Sequence, residues 1–264
     1  MSRLIDKLNL VSKVVPEPMG FRTIHPVAPR PQMLLIASLM QTKNLDNLTD
    51  YAAVADAVLL PVAKTGSGTK ALQKIARSLP DIPWGVWLQD ISEKEWKTLA
   101  KAGCDFVVFP IDSSALVNDP DDEMGKILQV ESSLSDGLLK AVNGLPVDAV
   151  LTTNGLERNS LTWHRLMLFQ HFANLLTKHL LVFAPPDMTA NELKSLWEIG
   201  VDCVVVETAI EQPLKRLEEL HQAIGDLTSL PPRKRKKTEA LLPHIGVETD
   251  MATDIDTEEE EDDE

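Results

Sequence analysis

Three acidic residues stand at or just after the ends of apolar runs that are typical of buried strands. They are Asp112, Glu131 and Glu207. A carboxylate in such a place must lie at a polar opening or be paired, because burying an unpaired charge is costly. A positioned carboxylate can act as a general acid or base, and two on adjacent strands could bind a divalent cation. We take these three residues as candidate catalytic groups, with Glu131 as the first choice.

A glycine-containing loop supplies the best candidate for a ligand contact. Between Lys64 and Thr69 the sequence is Lys-Thr-Gly-Ser-Gly-Thr, just before a predicted helix. Successive backbone N–H groups and the start of a helix can bind an anion, and the lysine would add a counter-charge. The alternative is a flexible loop in which Thr69 caps the helix. The candidate ligand-binding residues are Lys64, Gly66, Ser67, Gly68, Thr69 and Asn154.

Eight short apolar runs alternate with helical patterns between residues 33 and 224. Continuous hydrophobicity is typical of parallel strands that are covered by helices. Eight strand–helix units favour a (β/α)8 barrel, with an open doubly wound sheet as the alternative. The runs are Met33–Leu39, Ala57–Pro61, Trp84–Leu88, Phe106–Ile111, Ile127–Glu131, Ala149–Thr152, Leu180–Ala184 and Cys203–Glu207.

A segment of 19 residues occurs twice, 97 positions apart, as 90–108 and 187–205. The two copies share eight identities, and each reads as a helix, a tight turn and a buried strand. The copies lie four strand–helix units apart, which is the offset that two related half-barrels require. Asp90 and Asp187 occupy the same place in both copies, so we interpret them as helix-start residues and not as catalytic groups.

Several familiar chemistries do not fit the predicted strand ends. No histidine stands at a strand end, which argues against a zinc hydrolase. The sixth run ends in Thr152-Thr153, with no lysine for a Schiff base. The seventh ends before Pro185-Pro186, so the paired carboxylates of a glycosidase are missing there. The sequence indicates no particular cofactor.

The repeat, together with 194–206, resembles phosphate-binding (β/α)8 barrels built from two half-barrels, such as isomerases of histidine and tryptophan biosynthesis. The resemblance covers residues 33 to about 224 and implies a barrel fold. Those families place glycine pairs after strands seven and eight, where this chain has Pro185-Pro186 and Glu207-Thr208-Ala209. Their paired aspartates after strands one and five are also replaced, so no catalytic residue is carried over.

Composition bounds the class of protein. The formal charge is −14, but eleven acidic residues lie in 248–264, and the rest of the chain carries only −3. A nucleic-acid-binding surface is therefore not expected. The two cysteines, Cys104 and Cys203, are predicted to be buried free thiols, as in a reducing compartment. Without a membrane-length apolar run or a signal-peptide pattern, we expect a cytoplasmic protein.

The segments outside the barrel complete the predicted domain organisation. Residues 1–31 are expected to form an amphipathic helix and a proline-rich connection, and 32–226 the barrel. The helix would plug one end of the barrel or, alternatively, contact a membrane or a partner. Residues 227–264 are predicted to be a disordered tail with the basic run Arg233–Lys237 before the acidic residues.

Two classes of function stay open at this point. In the first, the barrel binds a small anionic, phosphorylated or carboxylated metabolite and acts as an isomerase or lyase. In the second, the barrel is not catalytic and serves as a scaffold that binds protein partners through its charged tail. The lysine–glycine loop and Glu131 favour the first class. The loop after the seventh strand begins with Pro185-Pro186 in place of phosphate-binding glycines, and this favours the second class.

Overall fold

Eight parallel strands form a closed barrel in which β1 is hydrogen bonded to both β2 and β8. The structure is a computed structural model that describes residues 2–12, 31–40, 48–61, 75–89, 92–113, 124–153, 161–228 and 230. The (β/α)8 prediction is confirmed, and the open sheet is ruled out because the strands follow one another around a closed ring. The strands are β1 (Leu34–Ser38), β2 (Ala57–Pro61), β3 (Trp84–Trp87), β4 (Phe106–Pro110), β5 (Gly125–Val130), β6 (Ala149–Thr152), β7 (His179–Ala184) and β8 (Cys203–Glu207).

The helices follow the strands around the outside of the barrel, with one further helix ahead of β1. Two of them, α4 and α7, belong to the repeated segment and begin with the same capping box, made by Ser92 with Glu95 and by Thr189 with Glu192. The hydroxyl residues Ser92 and Thr189 are therefore the N-caps of these helices, and Asp90 lies outside the described residues. The helices are α1 (Arg3–Ser12), α2 (Leu48–Val54), α3 (75–78 in its described part), α4 (Glu93–Lys101), α5 (Asp136–Ala141), α6 (Trp163–Leu175), α7 (Ala190–Ile199) and α8 (Pro213–Leu227).

The alternation of side chains along each strand separates two hydrophobic cores. Residues such as Leu35 and Val58 face the surrounding helices, whereas Ile36 and Leu59 face the barrel interior. The interior is filled by side chains, as expected for a barrel of this size. The Phe106 ring leaves no room for a side chain at position 85, because a Cβ on Gly85 would lie within 2.5 Å of three atoms of that ring.

Helix α1 closes the amino-terminal end of the barrel. Leu4, Ile5 and Leu8 are buried in the same cluster as the interior strand residues. Asp105, just before β4, accepts hydrogen bonds from the Ser2 hydroxyl at 2.7 Å and from the Arg3 and Leu4 N–H groups at 2.8 and 3.0 Å. The predicted plug is confirmed, and its apolar face is covered by the barrel itself.

Both cysteines are free and buried, as predicted. Burial raises the pKa of the Cys104 thiol and also that of the Cys203 thiol. Neither thiol is therefore suited to act as a nucleophile near neutral pH. Within the described ranges, no helix has the length and apolar character needed to cross a membrane.

Candidate functional site at the barrel mouth

The carboxyl-terminal end of the barrel is ringed by the outermost inward-facing residue of each strand. Active sites of (β/α)8 barrels lie at this end, where the loops after the strands meet. Interior positions such as Ile36, Leu59, Val108 and Val205 fix which residues these are, because every second residue of a strand faces the same side. We call this set the mouth ring: Ser38, Pro61, Trp87, Pro110, Gln129, Thr153, Phe183 and Glu207.

Glu207 is the acidic member of the mouth ring, and hydrogen bonds orient both of its carboxylate oxygens. Ser38, its register partner on β1, donates its hydroxyl to Oε2 at 3.0 Å. The backbone N–H of Thr208 donates to Oε1 at 3.2 Å. Ser38 is fully buried, whereas Glu207 is only partly buried. The carboxylate is thus held in place but still reachable from the mouth.

A second layer of hydrogen bonds fixes the Glu207 pair from behind. The Thr208 N–H is shared: besides Oε1 of Glu207 it also donates to the Ser38 carbonyl oxygen, at 2.9 Å, and the Thr208 hydroxyl donates to that same oxygen at 3.0 Å. The Thr208 side chain also hydrogen bonds to Tyr51 of α2. Burial raises the pKa of the Tyr51 phenol, which therefore stays neutral. Thr208 thus contacts Glu207 directly and also through Ser38, and Tyr51 contacts this group of residues through Thr208.

The rest of the mouth ring combines one polar pair with one aromatic pair. The Gln129 side-chain amide donates to the Thr153 hydroxyl at 3.0 Å. The Trp87 and Phe183 rings meet with their centroids 5.7 Å apart and an interplanar angle of 40°. Because β3 and β7 lie on opposite sides of the barrel, this aromatic pair spans the centre of the mouth.

Asp112 and Glu131 lie beyond the ends of the neighbouring strands β4 and β5, and both are exposed. One oxygen of Glu131 accepts a hydrogen bond from the Ser133 hydroxyl at 3.2 Å. Among the residues that the structure describes, no hydrogen bond joins Asp112 to Glu131, and no group of three potential metal ligands is found. Both acids remain candidates at the rim of the mouth, separate from the Ser38–Glu207 pair.

The predicted ligand-binding residues Lys64, Gly66, Ser67, Gly68, Thr69 and Asn154 lie outside the described residues. Their role stays a prediction. The described chain nevertheless reaches Pro61, the last residue of β2, three positions before Lys64. Strand β2 pairs with β1, which carries Ser38, so Pro61 ends the strand next to the one that holds the Glu207 partner.

Sequence reasoning did not select Trp87, Gln129 or Phe183 for the site. The sequence does contain a signal for these residues, because every second residue of a strand faces the same side. On β5, Gln129 lies two residues before Glu131 and therefore faces the same side as it. What the alternation could not show is which rings meet across the barrel, because Trp87 and Phe183 are 96 positions apart and on opposite strands.

Comparisons with known proteins agree with this architecture. No family model matches the sequence, and no curated protein matches it either. Among solved structures, thiamine phosphate pyrophosphorylase from Pyrococcus furiosus is 12% identical, with 75% of this chain and 98% of that chain covered and a TM-score of 0.54. A 3-hexulose-6-phosphate synthase is 15% identical, with 72% and 99% covered and a TM-score of 0.55.

A third similar structure is that of native KDPGal, at 15% identity, with 79% of this chain and 96% of that chain covered and a TM-score of 0.54. In each of these comparisons nearly the whole of the other protein is matched, while identity stays at 12 to 15%. Such matches show a common fold. The chain is a closed (β/α)8 barrel that resembles phosphate-binding enzymes at the level of the fold.

Proposed function

We propose that the barrel binds a small anionic metabolite at its mouth and acts on it as an isomerase or lyase, with Glu207 as the acid–base group. The observation that carries the proposal is the arrangement of Glu207, which is oriented by Ser38 and the Thr208 N–H but remains partly exposed. Many isomerase and lyase reactions move a proton at a carbon atom next to a carbonyl group. A carboxylate that is fixed in place and reachable is suited to that transfer.

An anionic ligand is supported by the position of the lysine–glycine loop. The eight residues of the mouth ring contain no lysine or arginine, so a positive contact would have to come from a loop. Lys64 and the Gly66–Gly68 backbone follow β2 closely and would bind a phosphate or carboxylate group beside Ser38. The names of two similar structures, a thiamine phosphate pyrophosphorylase and a hexulose-6-phosphate synthase, support a phosphorylated ligand.

Asp112, Glu131 and Asn154 complete the proposed site at its rim. They follow β4, β5 and β6, which are adjacent strands on the side opposite β1. From there they would contact the uncharged polar groups of a ligand whose anionic group is held at β1 and β2. Glu207 takes the acid–base role in place of Glu131 because its oxygens are oriented by neighbouring donors.

The test is a thermal-shift and calorimetric screen of the full chain against inorganic phosphate, glycerol 3-phosphate, ribose 5-phosphate and pyruvate. A ligand at about 100 times its dissociation constant adds roughly 2.7 kcal/mol to the free energy of unfolding. We expect Lys64→Ala to weaken binding, and Glu207→Gln to keep binding while abolishing turnover. Glu218→Gln, on the exposed face of α8, is the matched control and should change neither. Turnover that survives Glu207→Gln would refute the assignment.

A second candidate function is favoured by the aromatic pair. Trp87 and Phe183 occupy the centre of the mouth, which leaves less room for a substrate. In that case the barrel would be a non-catalytic scaffold that binds protein partners through its charged tail, residues 227–264. The same screen separates the two candidates: a folded protein that responds to none of the compounds would support the scaffold.

A further inference from the structure

Exposed apolar side chains cluster on the α5–α6 side of the barrel. Six large hydrophobic residues are exposed in the described part of the chain, and four of them lie between residues 138 and 167: Leu138, Leu145, Trp163 and Met167. Trp163 is 83% exposed and Met167 is 67% exposed, and because they are four residues apart on one helix they lie on the same face of it. Large side chains left in water in this way are typical of a surface that binds another protein.

A groove runs along the same face of α6. It has a volume of about 380 Å³ and is lined by His164, Met167, Leu168, Gln170, His171 and Asn174. The Asp136 carboxylate of α5 lies 3.0 Å from Nε2 of His171, one of the lining residues. Trp163 lies in the first turn of the helix, just beyond one end of the groove. One face of α6 therefore carries both a projecting indole and a shallow, uncharged depression.

We propose that two copies of the chain associate through this face, with their α6 helices antiparallel across a two-fold axis. A two-fold interface requires a surface that is complementary to itself, and a projection and a groove on one face meet that requirement. Trp163 and Asn174 are 11 residues apart, which is about 16 Å along the helix axis. With the axis near Leu168, the partner's Trp163 lies against residues 170–174, and Trp163 occupies the equivalent place on the partner.

The charge of the face favours a second copy of the same chain as the occupant. None of the six residues that line the groove is Asp, Glu, Lys or Arg, and the titratable groups around it are His164 and His171 of α6 and the exposed Asp136 and Lys140 of α5. Because one acid and one base leave the face close to neutral, two copies meet with little net repulsion. The outer face of α8 is different, because it exposes Lys215, Glu218 and Glu219. In a chain with a net charge of −14, self-association through a charged face would be opposed by repulsion.

The size of the face sets the expected affinity. Helix α6 has 13 residues, so it is about 20 Å long, and α5 beside it widens the face to roughly 20 Å. That is roughly 400 Å² per partner, about half of the 800 Å² per partner that is standard, and it lies in the range of weak, transient interfaces. We therefore expect a weak dimer with a dissociation constant on the order of 10 to 100 μM.

Sedimentation velocity of the full chain between about 1 and 200 μM tests the proposal in the expected range of affinity. The 29.2 kDa chain should shift from monomer to dimer as its concentration rises. Trp163→Ser should raise the dissociation constant at least about tenfold, since a tryptophan that becomes buried in a pocket of the partner is a common hot spot. Leu10→Ser removes another exposed hydrophobic residue, at the closed end of the barrel, and should change nothing. A monomer at every concentration, or a Trp163→Ser dimer of unchanged affinity, would overturn the proposal.

A cysteine cross-link tests the antiparallel arrangement separately. Gln170 is exposed and lies within about 3 Å of the proposed axis along the helix, so Gln170→Cys should form a disulfide-linked dimer on mild oxidation. Glu218→Cys, on the exposed face of α8, is the matched control and should not form a disulfide-linked dimer. The two natural cysteines are buried and give no background in the folded protein. A dimer in which only the control cross-links would place the interface elsewhere and refute the α6 contact.

Discussion

The two ends of the barrel use their carboxylates in different ways. At the closed, amino-terminal end, Asp105 is buried and its carboxylate accepts hydrogen bonds from Ser2, Arg3 and Leu4 at the start of α1. At the mouth, Glu207 is oriented by two donors but remains partly exposed. The first carboxylate attaches the plug helix to the barrel, whereas the second lies at the end where (β/α)8 barrels place their active sites. Together with the acid–base role that we propose for Glu207, this contrast assigns the stabilising and the reactive carboxylate to opposite ends of the barrel.

The closed end also follows a rule that the mouth does not. Asp56, Asp148 and Asp202 each precede an even-numbered strand, and each accepts a hydrogen bond from the second N–H of the preceding odd-numbered strand. The donors and distances are Leu35 at 3.0 Å, Lys126 at 2.8 Å and Leu180 at 3.2 Å. Asp105 has the equivalent place before β4 but accepts from α1 instead. The exception is therefore the residue that attaches the plug.

The largest effect that this comparison predicts is that of Asp105→Ala. The change would leave the Ser2 hydroxyl and two backbone N–H groups, those of Arg3 and Leu4, without their acceptor. Each buried polar group left unpaired costs about 1 to 3 kcal/mol, so for three groups we expect a total loss of at least about 3 kcal/mol in the free energy of unfolding. Urea unfolding followed by circular dichroism measures the loss.

The control for Asp105→Ala is Asp148→Ala at the same end of the barrel. Asp148 accepts from the Lys126 N–H, where Asp105 accepts from three donors, and we expect a loss of about 1 to 2 kcal/mol. Equal losses for the two variants would mean that the plug adds nothing beyond one strand hydrogen bond. The contrast between the two ends of the barrel would then lose its basis.

The second prediction concerns the contact between the plug and β5. A Cβ on Gly125 would lie 2.8 Å from Cγ1 of Ile5 and 2.9 Å from the Ser2 hydroxyl oxygen. Gly125→Ala must therefore push α1 outward, and overpacking of this kind costs about 1 to 3 kcal/mol. Gly137→Ala, in α5, has open space around the new methyl group and should be neutral or stabilise the protein by up to about 1 kcal/mol. An unchanged stability for Gly125→Ala would show that α1 is not tightly seated.

Much of the fold could be predicted from the sequence because parallel strands are local apolar runs. The predicted sixth and eighth strands, Ala149–Thr152 and Cys203–Glu207, agree with the structure residue for residue. The fifth is displaced: we predicted Ile127–Glu131, and β5 is Gly125–Val130. Gly125 has low strand propensity, but it pairs with Phe106 of β4, and α1 occupies the space where its side chain would lie. The contact with Ile5 of α1 spans 120 residues and cannot be read from any local pattern.

The site was predictable in part, for a related reason. Glu207 and the strand ends could be located because polarity changes abruptly at the end of an apolar run. The partnership of Glu207 with Ser38 could not, since it depends on the closure of β1 against β8, 169 positions apart. Helix α6 begins at Trp163 because the Thr162 hydroxyl caps its first turn. Which face of α6 is exposed depends on how the helix packs on the barrel, so it could not be predicted from the helical pattern of the sequence.

The third prediction sharpens the comparison at the mouth end, where α4 and α7 begin. The hydroxyls of Ser92 and Thr189 each accept a backbone N–H hydrogen bond at the start of a helix. Ser92→Ala and Thr189→Ala should each cost about 1 kcal/mol. Ser135 precedes α5 without a side-chain capping bond, so Ser135→Ala should cost close to nothing. If all three variants lost the same stability, capping would not be the cause.

The smallest effect on stability is expected for Glu207→Gln, and it gives the comparison its most direct test. Glutamine keeps an oxygen that can accept from Ser38 or from the Thr208 N–H, and partial exposure lets water replace the remaining bond. We expect a change within about 0.5 kcal/mol. Asp105→Asn is the matched change at the closed end and should cost more, because the new amide N–H₂ would face buried N–H donors. If Glu207→Gln destabilised the protein as much as Asp105→Asn, Glu207 would be a structural carboxylate like those at the closed end, and the acid–base role proposed for it would have to move to Glu131 or Asp112.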